Sequence, residues 1–268
     1  MSEGDLGFMN HPSAKKESPP EIRIIGVPGL PEIRPGDRIA ALFQAQLKRL
    51  QLELKPGDIC LVTQKIVSKA EGALVDLRTV APSAFALEFA RRTGKDPRLV
   101  ETVLQQSRRI VRMDRDVLIC ETKHGWICAN AGVDQSNVPG NHFVTTLPAH
   151  PDESARRLRR EIADLFHLDI PVILTDTFGR PWREGLTNVA VGSAGLEPLV
   201  DWQGQKDPFG FELQKTLVAV ADELASAAEL VMSKTQGIPV AIVRGYPYRP
   251  SEEGSRSLIR PAAKDMFR

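Results

Sequence analysis

The chain has 268 residues, 42% hydrophobic and 26% charged, which suits a folded globular protein of one large or two modest domains. With 35 basic and 34 acidic residues the formal net charge is +1, so no global field favours nucleic acid or a membrane surface. No apolar run is long enough to span a membrane, and three scattered cysteines without a signal peptide favour reduced thiols in the cytoplasm.

The first elements along the chain are predicted from composition and apolar spacing. Residues 1–20 are polar and rich in Pro, Gly and Ser, which predicts a disordered leader before a folded domain at residues 21–268. A short strand is predicted over residues 22–27. Asp37 could cap the helix that follows in "RIAALFQAQLKRL". The β-branched run "ICLVTQKIV", residues 59–67, predicts a strand that leads into "SKAEG".

The middle of the chain carries capping and hairpin signals. Pro82-Ser83 opens a predicted helix that closes near Gly94, and Asp96-Pro97 opens another that extends to about Arg109. The strand-like pieces "DVLICET" and "GWICANAG" are predicted to form a hairpin that turns at residues 123–125. The cysteines lack the spacing of a zinc site and are predicted to be small core residues: Cys60, Cys120 and Cys128.

The last third alternates long helices with apolar strands. Residues 152–166 predict a helix with a basic outer face, for which solvation is the common explanation, and "IPVILTDTFGRPWREG" follows as a strand. The longest helix is predicted at residues 207–233, before a final strand in "IPVAIVRG". Because strands and helices do not alternate strictly and the hairpin is antiparallel, the predicted fold is α+β, with mixed sheets and flanking helices.

Four predicted strands end in polar residues of the kind that handle phosphate and metal. Residues at the mouths of strands gather at one edge of a sheet, where clefts form. The residues are Lys69 and Glu71 after the first strand, Asp134 and Asn137 after the second, Asp176, Thr177, Arg180 and Arg183 after the third, and Arg244 after the fourth.

Together these side chains predict metal-assisted phosphoryl or acyl-phosphate chemistry. Two bare carboxylates, Asp134 and Asp176, would repel each other unless a divalent cation lay between them. Hard oxygen ligands in small number suit Mg²⁺ or Mn²⁺, with phosphate oxygens completing the shell. Lys69, Arg180 and Arg183 could neutralise the remaining charge of a polyphosphate.

Each of these residues taken alone has a simpler explanation. A single aspartate after a strand is most often a turn former or a helix cap. Lys69 in isolation is more simply a solvated loop lysine, and the two arginines could pair with Glu184 or Asp201 on the surface. The site hypothesis therefore depends on the coincidence of four such strand ends. The sequence has no phosphate-binding glycine motif, no Ser or Cys nucleophile pattern and no histidines at metal-ligand spacing.

Five segments in order resemble the coenzyme F420-0:γ-glutamyl ligase family: "GLPEIRPGD", "IVSKAEG", "NAGVDQSNV", "ILTDTFGRPWREG" and "IPVAIVRG". The resemblance covers about residues 22–268. It implies an α+β fold and an intertwined homodimer with a nucleotide cleft near the subunit interface. The apolar long helix and "VAVGSAGLEPLV" fit either a dimer surface or ordinary core. The closing "SLIRPAAKDMFR" is similar to the end of the bacterial branch, so the nitroreductase-like flavin activity of actinobacterial members is not expected.

The resemblance also implies a reaction. GTP phosphorylates the terminal carboxylate of the deazaflavin's phospholactyl side chain, the α-amino group of L-glutamate attacks the acyl phosphate, and an amide forms. Later cycles activate the γ-carboxylate of the glutamate just added. Two alternatives stay open at this point. One is a related amide ligase acting on another carboxylate, and the other is a non-catalytic protein that binds a deazaflavin or a nucleotide.

Site residues follow from the same resemblance, with two Mg²⁺ or Mn²⁺ ions and K⁺ as an optional further cation. Archaeal members carry a Ser-Thr pair for the nucleotide where this chain has Gln64 and Lys65, so the phosphate contacts there stay open. Catalytic roles are implied for Asp134, Asp176 and Arg180, metal ligation for Asp134, Asp176, Thr177 and Gln236, and nucleotide contacts for Leu30, Pro31, Glu32, Ile33, Lys69, Asn137, Lys234 and Gln236.

Overall fold

The structure is a computed structural model that describes residues 19–136 and 140–266. The predicted disordered leader, residues 1–20, lies outside these ranges except for its last two residues. Asn137, a predicted nucleotide contact, also lies outside them. Within the described ranges, no helix is long and apolar enough to cross a membrane.

The described elements mix strands and helices along the chain. The strands are β1 Arg23–Gly26, β2 Ile59–Thr63, β3 Leu74–Asp76, β4 Ser107–Asp114, β5 Val117–Thr122, β6 Ile127–Ala129, β7 Phe143–Thr145, β8 Val172–Arg180, β9 Arg183–Ala194, β10 Val200–Asp201, β11 Leu217–Val218 and β12 Val240–Arg244. The helices are α1 Ile39–Leu50, α2 Gln64–Ala70, α3 Ala84–Thr93, α4 Pro97–Gln105, α5 Pro151–Phe166 and α6 Val220–Met232.

A five-stranded sheet in the order β1-β12-β2-β8-β9 forms the centre of the fold. Its β2 and β8 run parallel, and the other neighbouring strands pair antiparallel. Smaller sheets pair β4 with β5 and β6, β3 with β7, and β10 with β11. The mixed α+β architecture predicted from the sequence is confirmed.

Both faces of the central sheet are buried, which explains why its inner strands are continuously apolar. On one face, Val62 and Leu174 pack with residues of α1 and α5. On the other face, Leu61 and Ile173 pack against the apolar side of α6, so that side of the helix is ordinary core. A separate cluster joins α3 and α4 to β5. The three cysteines are buried and unpaired with one another, as predicted.

Local capping signals predicted two helices correctly. The Ser83 hydroxyl accepts a hydrogen bond from the Ala86 backbone N–H at the start of α3, which ends at Gly94 in the left-handed conformation (φ 74°). Asp96 caps α4 by accepting from the Arg98 N–H at 2.8 Å. The hairpin between β5 and β6 is also confirmed.

Two predictions around the first long strand are wrong. Asp37 does not cap α1, because its carboxylate accepts the Arg34 N–H at 2.7 Å and closes a turn instead. The strand predicted over residues 59–67 ends at Thr63, and α2 begins at the next residue. Ile66, Val67 and the half-buried Ala70 pack on the core at helical spacing, so tertiary packing overrides the strand preference of the β-branched residues.

Two helix predictions are too long. The helix expected to reach Arg109 ends at Gln105, because the residues that follow pair with β5 as strand β4. The helix expected at residues 207–233 comprises only α6. Before α6, the Asp207 carboxylate accepts the backbone N–H groups of Phe209 and Phe211, both at 2.9 Å, and holds a turn that a helix cannot contain.

Candidate active site

The parallel pair β2 and β8 brings the ends of two strands to one edge of the central sheet. In this pair Thr63 lies opposite Thr175. The residue after Thr63 begins α2, and the residue after Thr175 is Asp176. The first turn of α2, with Gln64 and Lys65, is therefore placed against Asp176.

Asp134 is fixed at the same edge by its backbone and by its carboxylate. Its backbone N–H and C=O both bond to Thr145 of β7, at 3.0 and 2.8 Å. Its carboxylate lies 2.6 Å from the Lys65 ammonium and accepts the Ser136 N–H at 2.7 Å. Burial raises the pKa of Asp134, but the hydrogen bonds from Lys65 and Ser136 outweigh burial, so this pKa lies below its usual range.

Asp176 shares this space with Asp134. Burial raises the pKa of Asp176 to about 6, and the negative charge of Asp134 adds to the rise. The Thr177 N–H at 2.9 Å, the Lys65 ammonium and the Gln64 amide act in the opposite direction. The structure thus brings the two aspartates singled out in the sequence together, with one lysine between them.

The donor set at this position fits a hard divalent cation that keeps several waters. The described residues hold no group of three or more His, Cys, Asp or Glu side chains placed to bind a metal. The site instead supplies two carboxylates, Asp134 and Asp176, with the Gln64 amide and the Ser136 hydroxyl nearby. Mg²⁺ is commonly held in this way, by one or two carboxylates with water and phosphate oxygens completing its octahedron. The pKa of Asp176 is raised by burial and further by the charge of Asp134, and a bound cation would offset both effects.

Thr177 takes part in a different network. Because it follows Asp176 in a strand, its side chain points to the opposite face of the sheet. Its hydroxyl donates to the Asn188 side-chain oxygen at 2.6 Å and accepts from the Lys234 ammonium. Asn188 donates to Glu229 at 2.7 Å, and Glu229 lies 2.9 Å from Lys234. A metal contact by the Thr177 hydroxyl would therefore involve a second ion, away from the aspartate pair.

The loop after α6 is tied to this network at one predicted residue only. Lys234 is brought to Thr177 and Glu229. Gln236 is exposed, and among the described residues it has no hydrogen-bond or ion-pair partner. The structure does not bring Gln236 to the aspartates.

Lys69 joins two segments that the sequence marked for nucleotide contact. Its side chain is buried, which corrects the alternative of a solvated loop lysine, and its ammonium lies 2.5 Å from the Glu32 carboxylate. Glu32 and Pro31 are exposed, while Ile33 is buried and the half-buried Leu30 packs on the core. The "LPEI" segment is thus anchored by its apolar residues and presents its polar ones.

Arg180 lies away from the aspartates. The sequence suggested that the strand ends at Asp176, but β8 continues to Arg180. The chain then turns, and Arg183 at the start of β9 pairs with Arg180. Four residues of strand correspond to roughly 13 Å. The Arg180 guanidinium donates to the Glu184 carbonyl at 2.9 Å, so within one chain it does not reach the pair.

Arg244 also lies away from this edge, and the prediction that four strand ends converge is wrong for it. β12 runs antiparallel to β2, so its final residue lies at the opposite edge of the sheet. The Arg244 guanidinium makes two 2.7 Å bonds to the buried carboxylate of Asp58, which precedes β2. Arg244 is a structural residue.

The sequence interpretation missed several residues of the site. Gln64 and Lys65 were predicted to lie in a strand. The one sequence feature that marked them is that they replace the Ser-Thr pair of archaeal members. Asn188 and Glu229 gave no sequence signal, because Asn188 faces Thr177 only through the β8–β9 register and Glu229 reaches it from α6.

Comparison with known proteins gives a consistent result. A model of the F420-0:Gamma-glutamyl ligase family matches residues 29–245. The chain is 46% identical over 250 residues to the coenzyme F420:L-glutamate ligase of Methanothermobacter thermautotrophicus, covering 92% of this chain and 99% of that protein. It is 46% identical over 254 residues to the protein of the same name from Methanopyrus kandleri (93% and 98%). It is 41% identical over 251 residues to that from Methanocaldococcus jannaschii (92% and 97%).

Proposed function

Because the chain belongs to the F420-0:gamma-glutamyl ligase family, we propose that it is a GTP-dependent ligase that adds L-glutamate to coenzyme F420-0. The observation that carries this proposal is the meeting of Asp134, Asp176 and Lys65 at one edge of the sheet. Two carboxylates and a cation at one point are what a nucleoside triphosphate and its metal require.

The proposed reaction has two steps. The γ-phosphoryl group of GTP passes to the terminal carboxylate of the acceptor, giving an acyl phosphate and GDP. The α-amino nitrogen of L-glutamate then forms the amide bond as phosphate leaves. A carboxylate oxygen is a poor leaving group and phosphate is a good one, so the first step makes the second possible.

The chain's own residues would orient and neutralise the phosphates. Divalent ions held by Asp134 and Asp176 would neutralise charge on the transferring phosphoryl group. Lys65 adds a positive charge at the same place, 2.6 Å from Asp134. Lys69 fixes the "LPEI" segment through Glu32 for the nucleotide. With a pKa of about 6, Asp176 is ionised and able to hold a cation at pH 7 to 8.

Mass spectrometry of a defined reaction tests this function. The protein is incubated with GTP, Mn²⁺, L-glutamate and F420-0, and the deazaflavin should gain mass in glutamate-sized steps. Omitting GTP, or replacing it with ATP, should abolish or reduce the gain. Glutamate addition to another carboxylate acceptor but not to F420-0 would favour a related amide ligase, and binding without any addition would favour a non-catalytic protein.

The Asp176→Asn variant tests the metal assignment within that function. It should remain folded and lose turnover, whereas normal turnover would show that the assignment is wrong. We further propose a homodimer, which light scattering of the purified protein would test.

A further inference from the structure

A cavity of about 790 Å³ lies outside the aspartate pair. It lies between the start of α5, the β5–β6 turn and the segment after α2. Ligand sites for molecules of coenzyme size commonly enclose about 300–1,000 Å³. Its volume is therefore sufficient for a second substrate.

The cavity adjoins the place where phosphoryl transfer is proposed. Its floor includes Val191 of β9, two residues along the strand from Val189, which pairs with Asp176. Two strand residues correspond to roughly 7 Å. Its wall includes Thr146, which directly follows the residue whose backbone pairs with Asp134. The cavity therefore begins two strand residues from the partner of Asp176 and one residue from the partner of Asp134.

The cavity wall has a surplus of positive charge. Two of its three carboxylates are already engaged: Asp152 accepts from Ser193 and Ser255, and Glu71 is held by Arg157. Within the described part of the chain, the Lys and Arg side chains of the cavity wall have no carboxylate closer than 3.8 Å, the distance from Arg108 to Glu121. These cations are Arg108, Lys123, Arg156 and Arg256.

The cavity also has an aromatic side chain and a half-buried histidine in its wall. Trp126 is half-buried in its wall. The His124 Nε2 donates to the Ala149 carbonyl at 3.1 Å, so in the neutral ring Nδ1 is an acceptor. Burial lowers the pKa of His124, which favours that neutral ring. Nδ1 is buried and has no hydrogen-bond partner within the described residues.

We propose that this cavity binds the acceptor of the reaction, an aromatic deazaflavin that carries a phosphodiester and a carboxylate. The assignment rests on the proposed function. Trp126 suits the flat ring system, the four cations suit the two anionic groups, and the floor leads the carboxylate towards Asp176. The nucleotide is assigned to Lys69 and Glu32, neither of which lines this cavity, so the two substrates would occupy separate places.

Equilibrium dialysis, with the deazaflavin detected by its absorbance, tests the assignment. The substituted residues are exposed, so their replacement should not disturb the core. We compare wild type, Arg108→Gln and the double variant Arg108→Gln/Lys123→Gln. Arg112→Gln is a matched control, because both arginines lie on β4 and each is 3.8 Å from one carboxylate, but Arg112 is outside the cavity wall. The double variant should raise the Kd of the deazaflavin roughly tenfold or more, and the control should leave it within about twofold.

Steady-state kinetics separate the possible occupants. The double variant should raise KM for the deazaflavin and leave KM for GTP and for L-glutamate unchanged. A rise in KM for GTP or L-glutamate alone would assign the cavity to that substrate and overturn the proposal. If wild type adds glutamate but deazaflavin affinity is the same in all variants, the cavity assignment fails and the proposed function stands. If wild type neither binds the deazaflavin nor extends it, both fail.

Discussion

Replacing Asp176 with asparagine should make the metal-free protein more stable at neutral pH while removing its activity. Burial, reinforced by the charge of Asp134, raises the pKa of Asp176 from 3.8 to about 6. Ionising this carboxylate in the folded protein then costs about 3 kcal/mol, at 1.36 kcal/mol per pKa unit. Residual solvent contact screens part of this cost, so a gain of about 1–3 kcal/mol is expected on substitution.

The sign of the pH dependence follows from the raised pKa. Below about pH 4 the carboxyl is protonated in both folded and unfolded chains and costs nothing. The cost grows as the pH rises from about 4 to about 6 and is constant above that range. The asparagine variant should therefore match wild type near pH 4 and exceed its stability most above pH 7.

Urea unfolding in EDTA at several pH values measures this difference. With a slope of roughly 3 kcal/mol per molar urea, the midpoint above pH 7 should rise by about 0.3–1 M. Adding Mn²⁺ at 100 times its Kd should then stabilise wild type by about 2.7 kcal/mol, and the variant by much less. Asp222→Asn is a control, because burial also raises the pKa of Asp222. The Asp222 carboxylate lies on the α6 face of the sheet, where it accepts a hydrogen bond from the Ala190 N–H, and is not part of the aspartate pair.

Two results would refute this reasoning. If the asparagine variant is no more stable than wild type at pH 8 in EDTA, the ionised Asp176 carboxylate is not destabilised by burial and by the charge of Asp134. If Mn²⁺ stabilises the variant as much as wild type, the ion binds elsewhere. The Asp222 variant should keep both the Mn²⁺ response and the turnover.

Two further substitutions test the residues that the structure moved into or out of the site. Arg244→Ala should lower the free energy of unfolding by about 3–5 kcal/mol, because it leaves the buried Asp58 carboxylate unpaired, yet KM for GTP should not change. A loss below 1 kcal/mol in urea unfolding would contradict this. Glu229→Gln should release Lys234 and lower kcat/KM for GTP roughly threefold to tenfold, while Glu223→Gln on the same helix should not. Equal effects of the two variants would exclude a positioning role.

Local signals were sufficient for the helix termini but not for the choice between helix and strand. Ser83 and Asp96 accept the N–H groups of nearby residues, so their capping roles depend on a few neighbouring positions. The residues after Gln105 form a strand because β5 lies beside them, and α2 is a helix because its apolar residues meet the core. Neither partner is close in sequence, so a local pattern cannot identify it.

The two aspartates could be named from the sequence, while the lysine between them could not. The predicted strand through residues 59–67 would have carried Lys65 along the sheet. Because the strand ends at Thr63 and a helix starts, Lys65 is instead turned onto Asp134, 69 residues further along the chain. Its role became visible only with the position of that helix start.

Strand direction decides which of the polar strand ends lie together. The ends of β2 and β8, which are parallel, lie at one edge, whereas β12 is antiparallel and carries Arg244 to the other edge. The alternation of side chains within β8 adds a further division, since Asp176 faces Asp134 and Thr177 faces Lys234. Two adjacent residues of β8 thus contribute to the proposed cation site on one face of the sheet and to a contact with the loop that carries Lys234 on the other. A shift of β8 by one residue would exchange these faces, so the β2–β8 register is a requirement of the site as well as of the core.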